Sequence, residues 1–219
     1  MTQKNLTVAT VFRTGGTYTR DYVEKLKRGF ERHLPIPHKF VCLTDDVYAD
    51  HCVPLKHDWP GWWAKIELFR PGLFDGPVIA VDLDTMLTGD LPALVEHDPP
   101  FVMMRDFQLP DRANSCLMYW EGDNSYIYDA FLADPQHYQD IYFRTPMLGD
   151  QAMIEVCLMK RGDYPALWQD ILPAGFLRNF QLEIEKQGTG WSGASLVWWT
   201  YVPKPHQLSF HPLIKEHWV

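Results

Sequence analysis

The stretch Val78-Ile79-Ala80-Val81-Asp82-Leu83-Asp84 indicates the architecture of this chain more clearly than any other. Its four apolar residues are typical of a buried strand, and two aspartates follow at the strand's carboxyl end. Ligands of α/β sheets bind at that edge. Two carboxylates separated by one residue make an oxygen-rich cation site, where a divalent ion could clamp the phosphates of a nucleotide-linked substrate. The alternative is a simple turn, because Asp is common where strands end.

The composition predicts one globular domain over residues 1–219. A chain of 219 residues with 46% hydrophobic content is long enough to form one sizeable core. It contains no run of about 18 apolar residues, and residues 1–12 lack the features of a signal peptide. We therefore expect a cytoplasmic protein without a transmembrane segment. The formal net charge of -8 argues against nucleic acid or an anionic membrane as a partner.

The first part of the chain predicts a strand, helix, strand unit. Leu6–Phe12 is rich in β-branched residues, and Asp21–His33 has apolar residues at helical spacing. Asp21 and Glu24 have the spacing of a capping pair. Two further strands are predicted, at Lys39–Leu43 and His51–Leu55. This opening is typical of a parallel α/β sheet.

The later elements are less regular in pattern. Helices are predicted at Trp62–Phe69, at Ser125–Ala133 and from Asp150 onward, and strands at Phe101–Met104 and Cys116–Tyr119. Leu177–Leu182 and Ser195–Tyr201 are predicted to be extended, and Leu208–Phe210 to form a last strand that ends at His211.

Several short motifs follow one another in an order and spacing that resemble a known enzyme family. In chain order they are Gly15-Gly16, Cys42-Leu43-Thr44-Asp45-Asp46, Gly61–Phe69, Val81-Asp82-Leu83-Asp84-Thr85, Asn114-Ser115, Gly149-Asp150-Gln151 and Phe210-His211. Together they resemble the GT-A glycosyltransferases, most closely the family 8-like group that includes glycogenin and the bacterial lipopolysaccharide galactosyltransferases. The resemblance covers Val8 to Lys215. It implies a single-domain, Rossmann-like α/β fold in which helices flank a mixed, mostly parallel sheet.

The resemblance also implies a metal-bound nucleotide-sugar donor. The donor would be a nucleoside diphosphate sugar, often a UDP-sugar, bound through Mn²⁺ by Asp82, Asp84 and His211. A site that mixes carboxylates with imidazole suits Mn²⁺ better than Mg²⁺, although Mg²⁺ is possible. His206 is the alternative histidine ligand.

The same resemblance assigns roles to seven further residues. Asp150 and Gln151 would lie against the transferred sugar as catalytic residues, and the donor-binding residues would be Arg13, Thr14, Lys65, Asn114 and Lys215. Four of them also have a simpler interpretation: Lys65 as a solvated helix residue, Asp150 as a helix N-cap, Gln151 as a polar residue of the first helical turn and Asn114 as a turn residue. Pro212 and Glu216 depart from the family pattern, which weakens the expectation for Lys215.

The predicted function is transfer of a sugar from the donor to a hydroxyl acceptor, a saccharide or a protein. Similar enzymes retain the anomeric configuration; an inverting reaction would need a carboxylate base, for which Asp106, Asp111 and Asp150 are candidates. A haloacid-dehalogenase-like phosphohydrolase is the alternative enzyme, with Asp82 as nucleophile and Asp84 as general acid. The alternative without catalysis is a nucleotide-sugar-binding module of the same fold.

Overall fold

A computed structural model describes residues 5–143 and 149–219, within which ten strands form two sheets. The strands are β1 (Leu6–Phe12), β2 (His38–Thr44), β3 (Cys52–Pro54), β4 (Val78–Val81), β5 (Thr85–Leu87), β6 (Phe101–Arg105), β7 (Ala113–Trp120), β8 (Ala166–Leu167), β9 (Leu177–Asn179) and β10 (Leu196–Trp198). The main sheet has the order β3-β2-β1-β4-β7-β6-β8, and the small sheet has the order β5-β10-β9. In the main sheet β7 pairs antiparallel with β4 and β6, while the other described pairings are parallel. The predicted fold class, a mixed and mostly parallel sheet flanked by helices, is confirmed.

Most of the described helices lie between strands, and the last two follow the final strand, β10. The helices are α1 (Arg20–His33), α2 (Ser125–Ala133), α3 (Pro135–Phe143), α4 (Gly149–Lys160), α5 (Trp168–Ile171) and α6 (Pro212–His217), with 3₁₀ helices at Gly61–Phe69, Pro92–Leu94 and Pro205–Gln207 and a π-helix at Phe180–Glu185. No helix of the described residues is both long enough and apolar enough to cross a membrane.

Strand β4 explains why the sheet is covered on both faces. Its residues are all buried, with Ile79 and Val81 in one hydrophobic cluster and Val78 and Ala80 in the other. Successive side chains of a strand point to opposite faces, so the two clusters lie on opposite sides of the sheet. Helix α1 packs in the first cluster through Tyr22 and its apolar neighbours. The apolar run that predicted a buried strand is therefore confirmed.

The start of α1 differs from the prediction. Thr19 is the N-cap and makes no side-chain capping bond, so Asp21 and Glu24 are not a capping pair. Asp21 instead forms an ion pair with Lys25 at 2.9 Å, one helical turn later. Glu24 accepts a hydrogen bond from the Tyr48 hydroxyl at 3.0 Å.

The 3₁₀ helix Gly61–Phe69 is anchored by a buried acid. Glu67 is fully buried, and its carboxylate accepts backbone N–H bonds from Lys56 at 2.7 Å and His57 at 2.8 Å. Arg70 lies 3.1 Å from the same carboxylate. These contacts fix the helix against the loop before it, which holds Lys65 in position.

The predicted last strand at Leu208–Phe210 is wrong. The tail forms the 3₁₀ helix Pro205–Gln207 and then α6, which begins at Pro212. Proline has no N–H to give to a strand ladder, whereas its fixed φ suits the first position of a helix. The two extended predictions before it hold in part: β9 ends at Asn179 and continues into the π-helix, and β10 covers only Leu196–Trp198.

Candidate active site

A cleft of about 1040 Å³ opens at the carboxyl ends of β1 and β4. Asp82 and Asp84 follow β4 directly, and the Asp82 N–H donates to the Cys116 carbonyl oxygen at 2.9 Å. Because β7 is antiparallel to β4, its first residues lie at this same edge. Helix α4 presents Asp150 and Gln151 to the cleft. The sheet thus brings three separate predicted motifs to one place.

Lys65 is the centre of a polar network in this cleft. Its Nζ lies 3.1 Å from Asp82 Oδ1 and 3.2 Å from Asp150 Oδ2. It donates to Ser115 Oγ at 2.7 Å, and the Ser115 hydroxyl donates to Asp150 Oδ2 at 2.6 Å. The network joins the 3₁₀ helix, β7, α4 and the aspartate pair through one ammonium group.

Burial and neighbouring charges shift the pKa values of this network in opposite directions. Burial alone would lower the pKa of Lys65, but Asp150 and Asp82 outweigh it and hold that pKa above its usual range. Burial raises the pKa of Asp150, against the opposing effect of Lys65. Lys65 therefore stays cationic at neutral pH and provides a fixed positive charge at the edge of the sheet.

Asp84 has a different set of partners. Lys204 Nζ lies 2.5 Å from Asp84 Oδ2, and the Tyr18 hydroxyl donates to the same oxygen at 2.7 Å. Burial raises the pKa of Asp84, with Lys204 acting against this and Asp82 adding to it. Burial and the charge of Asp84 raise the pKa of Tyr18, so its hydroxyl keeps its proton and acts as a donor.

Asp106 is a buried acceptor beside this network. Its Oδ1 accepts backbone N–H bonds from Gln108 at 2.8 Å and Leu109 at 2.9 Å. Its Oδ2 accepts from Gln151 Nε2 at 2.9 Å and Asn114 Nδ2 at 3.4 Å. Gln151 and Asn114, which were predicted as site residues, are thus oriented by the same carboxylate.

The loop after β1 forms another wall of the cleft. The Arg13 guanidinium contacts the Asp58 carboxylate and the Trp59 carbonyl oxygen. Thr14 donates to Asp45 from its N–H and its hydroxyl, each at 2.9 Å. Arg13 and Thr14, which were predicted as donor-binding residues, both line the cleft.

Three predicted tail residues lie outside the cleft lining. His211 is the N-cap of α6, where its Nδ1 accepts from the Leu213 N–H at 3.2 Å, and its ring packs 5.1 Å from that of Phe180. His206 contacts the Tyr22 hydroxyl through Nδ1 at 2.5 Å. The Lys215 Nζ lies 6.0 Å from the centre of the exposed Phe210 ring. The family resemblance placed His211 in the metal site, and the predicted strand Leu208–Phe210, which is wrong, supported that expectation.

Lys204 and Tyr18 are the site residues that the sequence analysis missed. Lys204 stands between Pro203 and Pro205 directly after an aromatic segment, and a lysine held by two prolines is a signal that its position is fixed. Tyr18 follows the predicted Gly15-Gly16 turn, which already belonged to a motif. Neither signal is specific without the fold.

The donor set does not fit the predicted three-ligand metal centre. Across the described ranges, 5–143 and 149–219, no group of three or more His, Cys, Asp or Glu side chains is placed to hold a metal ion. Asp82 already faces one ammonium group and Asp84 another. The predicted third ligand, His211, is instead the N-cap of α6, where it accepts the Leu213 N–H.

The fold of this chain is similar to that of a glycosyltransferase in two crystal structures. The apo form of glycosyltransferase GlyE from Streptococcus pneumoniae TIGR4 is similar with a TM-score of 0.60 and 15% identity, over 92% of this chain and 56% of that chain. Another crystal structure of GlyE from the same source gives a TM-score of 0.63 and 14% identity, over 98% of this chain and 59% of that one. The chain thus spans less than two thirds of these structures. No protein-family model matches the sequence, and neither does a curated protein.

Proposed function

We propose that this chain transfers a glycosyl group from a nucleoside diphosphate sugar to a hydroxyl acceptor. The observation that carries the proposal is the Lys65 ammonium, held by Asp82, Asp150 and Ser115 at the ligand-binding edge of a glycosyltransferase fold. A cleft of about 1040 Å³ is of the size that holds a nucleotide-linked ligand. Uridine as the base, and membership of the glycogenin-like group, stay predictions from the sequence.

The chemistry follows from where charge develops. Breaking the bond between the anomeric carbon and the diphosphate leaves negative charge on the departing group. Cationic groups that are fixed before the reaction stabilise this charge without a reorganisation cost. Lys65 is such a group, because its three partners hold it in place. The predicted need for Mn²⁺ stays a prediction.

The carboxylates support a reaction without a general base, and hence retention of configuration. Both oxygens of Asp106 accept N–H bonds, and Asp150 is engaged by Lys65 and Ser115. Asp111, the remaining candidate, does not line the cleft. Analysis of the anomeric configuration of the product by NMR tests this part, and an inverted product would require one of these carboxylates as a base.

The phosphohydrolase alternative has less support in this fold. Its signature follows the first strand of the sheet, whereas Asp82 and Asp84 follow β4. Position 86, where that signature needs a small hydroxyl residue, is Met86 in β5. The remaining alternative, a nucleotide-sugar-binding module of the same fold, differs from the proposed enzyme only in that it does not turn over its donor.

The test combines a thermal-shift screen with a turnover assay. Nucleoside diphosphates and their sugars, each with and without Mn²⁺, should raise the melting temperature when they bind the native state. Release of nucleoside diphosphate from the bound donor then measures turnover. Asp150→Asn should lower turnover about 100-fold, since it perturbs the Lys65 network. Asp163→Asn, at an exposed position outside the cleft, is the matched control.

Three outcomes would contradict the proposal. Binding of a donor without turnover, for every acceptor offered, would indicate the binding module. Phosphate release from a simple phosphomonoester with Mg²⁺, without any response to nucleotide sugars, would indicate the phosphohydrolase. Equal turnover in Asp150→Asn and Asp163→Asn would mean that the Lys65 network does not contribute to the reaction.

A further inference from the structure

Lys204 reaches the aspartate pair because of the way the two sheets join. Strand β5 follows Asp84 directly and pairs with β10, and the Trp199 N–H donates to the Asp84 carbonyl oxygen at 3.1 Å. The segment after β10 therefore starts beside Asp84. Pro205, buried at the start of its 3₁₀ helix, fixes the position of Lys204 next to it. The Lys204 side chain is only 12% exposed, and its ammonium contacts Asp84 at 2.5 Å.

Each carboxylate of the aspartate pair has its own ammonium group. Lys65 lies on Asp82, and Lys204 lies on Asp84. Two ammonium groups carry the same formal charge as one divalent ion. A positive charge is thus already present where a metal ion would otherwise bind these carboxylates.

Lys204 is the basic residue of the cleft with the fewest carboxylate partners. Among the described lining residues, Arg13 lies near Asp58 and Asp45, and Lys65 lies near Asp82 and Asp150. Lys204 has Asp84 alone, together with the carbonyl oxygens of Trp199 and Thr200, both at 3.4 Å. Those two distances are long for hydrogen bonds. The corresponding N–H groups can therefore turn to a stronger acceptor such as a phosphate oxygen.

We propose that the Lys204 ammonium takes the place of the divalent cation and binds the diphosphate of the donor, so that the chain binds its donor without a metal ion. This inference rests on the proposed function. In the transfer, the bond between the anomeric carbon and the phosphate oxygen breaks with its electron pair on that oxygen. The acceptor oxygen bonds to the carbon, and the acceptor proton passes to the departing diphosphate. Lys204 keeps its proton throughout and stabilises the charge on that diphosphate.

Calorimetric titration of the full chain with uridine, guanosine and adenosine diphosphates tests the proposal. The titrations are made in EDTA and again with Mn²⁺. The wild-type chain should bind at least one of the three in EDTA, with an affinity within about threefold of that with Mn²⁺. Lys204→Met should bind it about 10-fold to 100-fold more weakly in EDTA, because a charge-assisted contact to phosphate is lost.

The same variant gives a second and more specific signature. With Lys204 removed, Asp84 is free to take a metal ion, so Mn²⁺ should restore part of the affinity of Lys204→Met. Lys204→Arg keeps the charge and should stay close to the wild-type affinity in EDTA. Lys186→Met is the matched control, because Lys186 is exposed and outside the cleft. Melting temperatures show whether each variant is folded.

The outcomes separate this inference from the proposed function. Binding by the wild-type chain only when Mn²⁺ is present would overturn the inference and leave the proposed function standing. Equal binding by Lys204→Met and Lys186→Met in EDTA would also overturn it. If none of the three diphosphates binds under either condition, both the inference and the proposed function fail. The wild-type titration in EDTA tests whether the donor binds without a metal ion even if Lys204→Met does not fold.

Discussion

The two walls of the cleft differ in how closely the sequence predicts them. On the wall made by the main sheet, the Lys65 ammonium lies within 3.2 Å of an oxygen atom of each of two predicted site residues, Asp82 and Asp150. On the wall made by the tail, Lys204 contacts Asp84, while His211 is the N-cap of α6 and lies outside the cleft lining. The difference shows that the positions of residues at the ends of regular strands can be predicted from the sequence. The positions of residues in a proline-rich tail cannot.

The largest expected effect comes from removing the Lys65 ammonium from the sheet wall. Lys65→Met keeps the length of the side chain but leaves the Asp82 and Asp150 carboxylates without their shared ammonium. Removing one partner of a buried ion pair costs about 3–5 kcal/mol, because the remaining charge is uncompensated. The free energy of unfolding in urea measures this effect. Lys186→Met, at an exposed position, should change it by less than about 0.5 kcal/mol.

The pH dependence of Lys65→Met identifies the cause. Burial raises the pKa of Asp150, so this carboxyl contributes stability below its unfolded pKa, and the contribution is lost as pH rises through the folded pKa. The loss of unfolding free energy caused by Lys65→Met should therefore be smallest near pH 4, where Asp150 can be protonated, and should grow toward pH 7. Adding Asp150→Asn should recover part of it. A deficit independent of pH would mean that lost packing, not charge, is responsible.

The sheet wall was predictable because a continuous apolar run marks its central strand. The apolar run Val78–Val81 fixes a strand, and the residue after a strand in an α/β sheet lies at the ligand edge. Two motifs far apart in sequence meet at this edge: Asn114-Ser115 at the start of β7, which is antiparallel to β4, and Asp150-Gln151 at the start of α4. The ion pairs themselves were not predictable, because they depend on which side chains share a buried space.

The second expected effect concerns Gly149, where the sheet wall meets Trp62. Gly149 has a φ of +69°, and a Cβ there would lie 2.5 Å from Trp62 Nε1. Gly149→Ala should cost about 1–2 kcal/mol for the left-handed backbone and a further ~1–3 kcal/mol for the overlap. Gly162→Ala is the matched control, since it has a φ of +82° and open space around it.

Adding Trp62→Ala measures the overlap directly. It should remove the additional cost of Gly149→Ala while leaving the backbone cost. Urea unfolding of Gly149→Ala, Gly162→Ala, Trp62→Ala and the double variant of Gly149→Ala and Trp62→Ala makes the comparison. Equal losses in Gly149→Ala and Gly162→Ala would mean that the Trp62 ring moves away freely, and that the close approach has no role in positioning α4.

The tail wall was not predictable from pattern because its elements are short and their apolar residues pack from irregular positions. Leu208–Phe210 alternates like a strand, yet Phe210 is 88% exposed and the chain turns into α6. Pro205 and Pro212 were visible in the sequence and favour helix starts. The resemblance placed His211 by analogy, and it is the prolines that decide the local structure.

The third expected effect tests the tail assignment of His211. His211→Ala removes the Nδ1 acceptor for the Leu213 N–H and should lower the free energy of unfolding by about 0.5–1 kcal/mol. His211→Asn supplies another capping acceptor and should lose less. Neither variant should change nucleoside diphosphate binding in the presence of Mn²⁺. Loss of Mn²⁺-dependent binding in both variants would restore His211 as the metal ligand that the sequence predicted.

The smallest expected effect compares two lysines within the tail. Lys215 was predicted to contact the donor, but it is exposed and its Nζ lies near the Phe210 ring, outside the cleft lining. Lys215→Met should therefore change stability by less than about 0.5 kcal/mol and diphosphate affinity by less than about twofold. Lys204→Met, eleven positions earlier, should weaken the same affinity strongly in EDTA. If the two variants exchange these effects, α6 moves its lysine to the diphosphate on binding, and the tail wall described here is not the one that meets the donor.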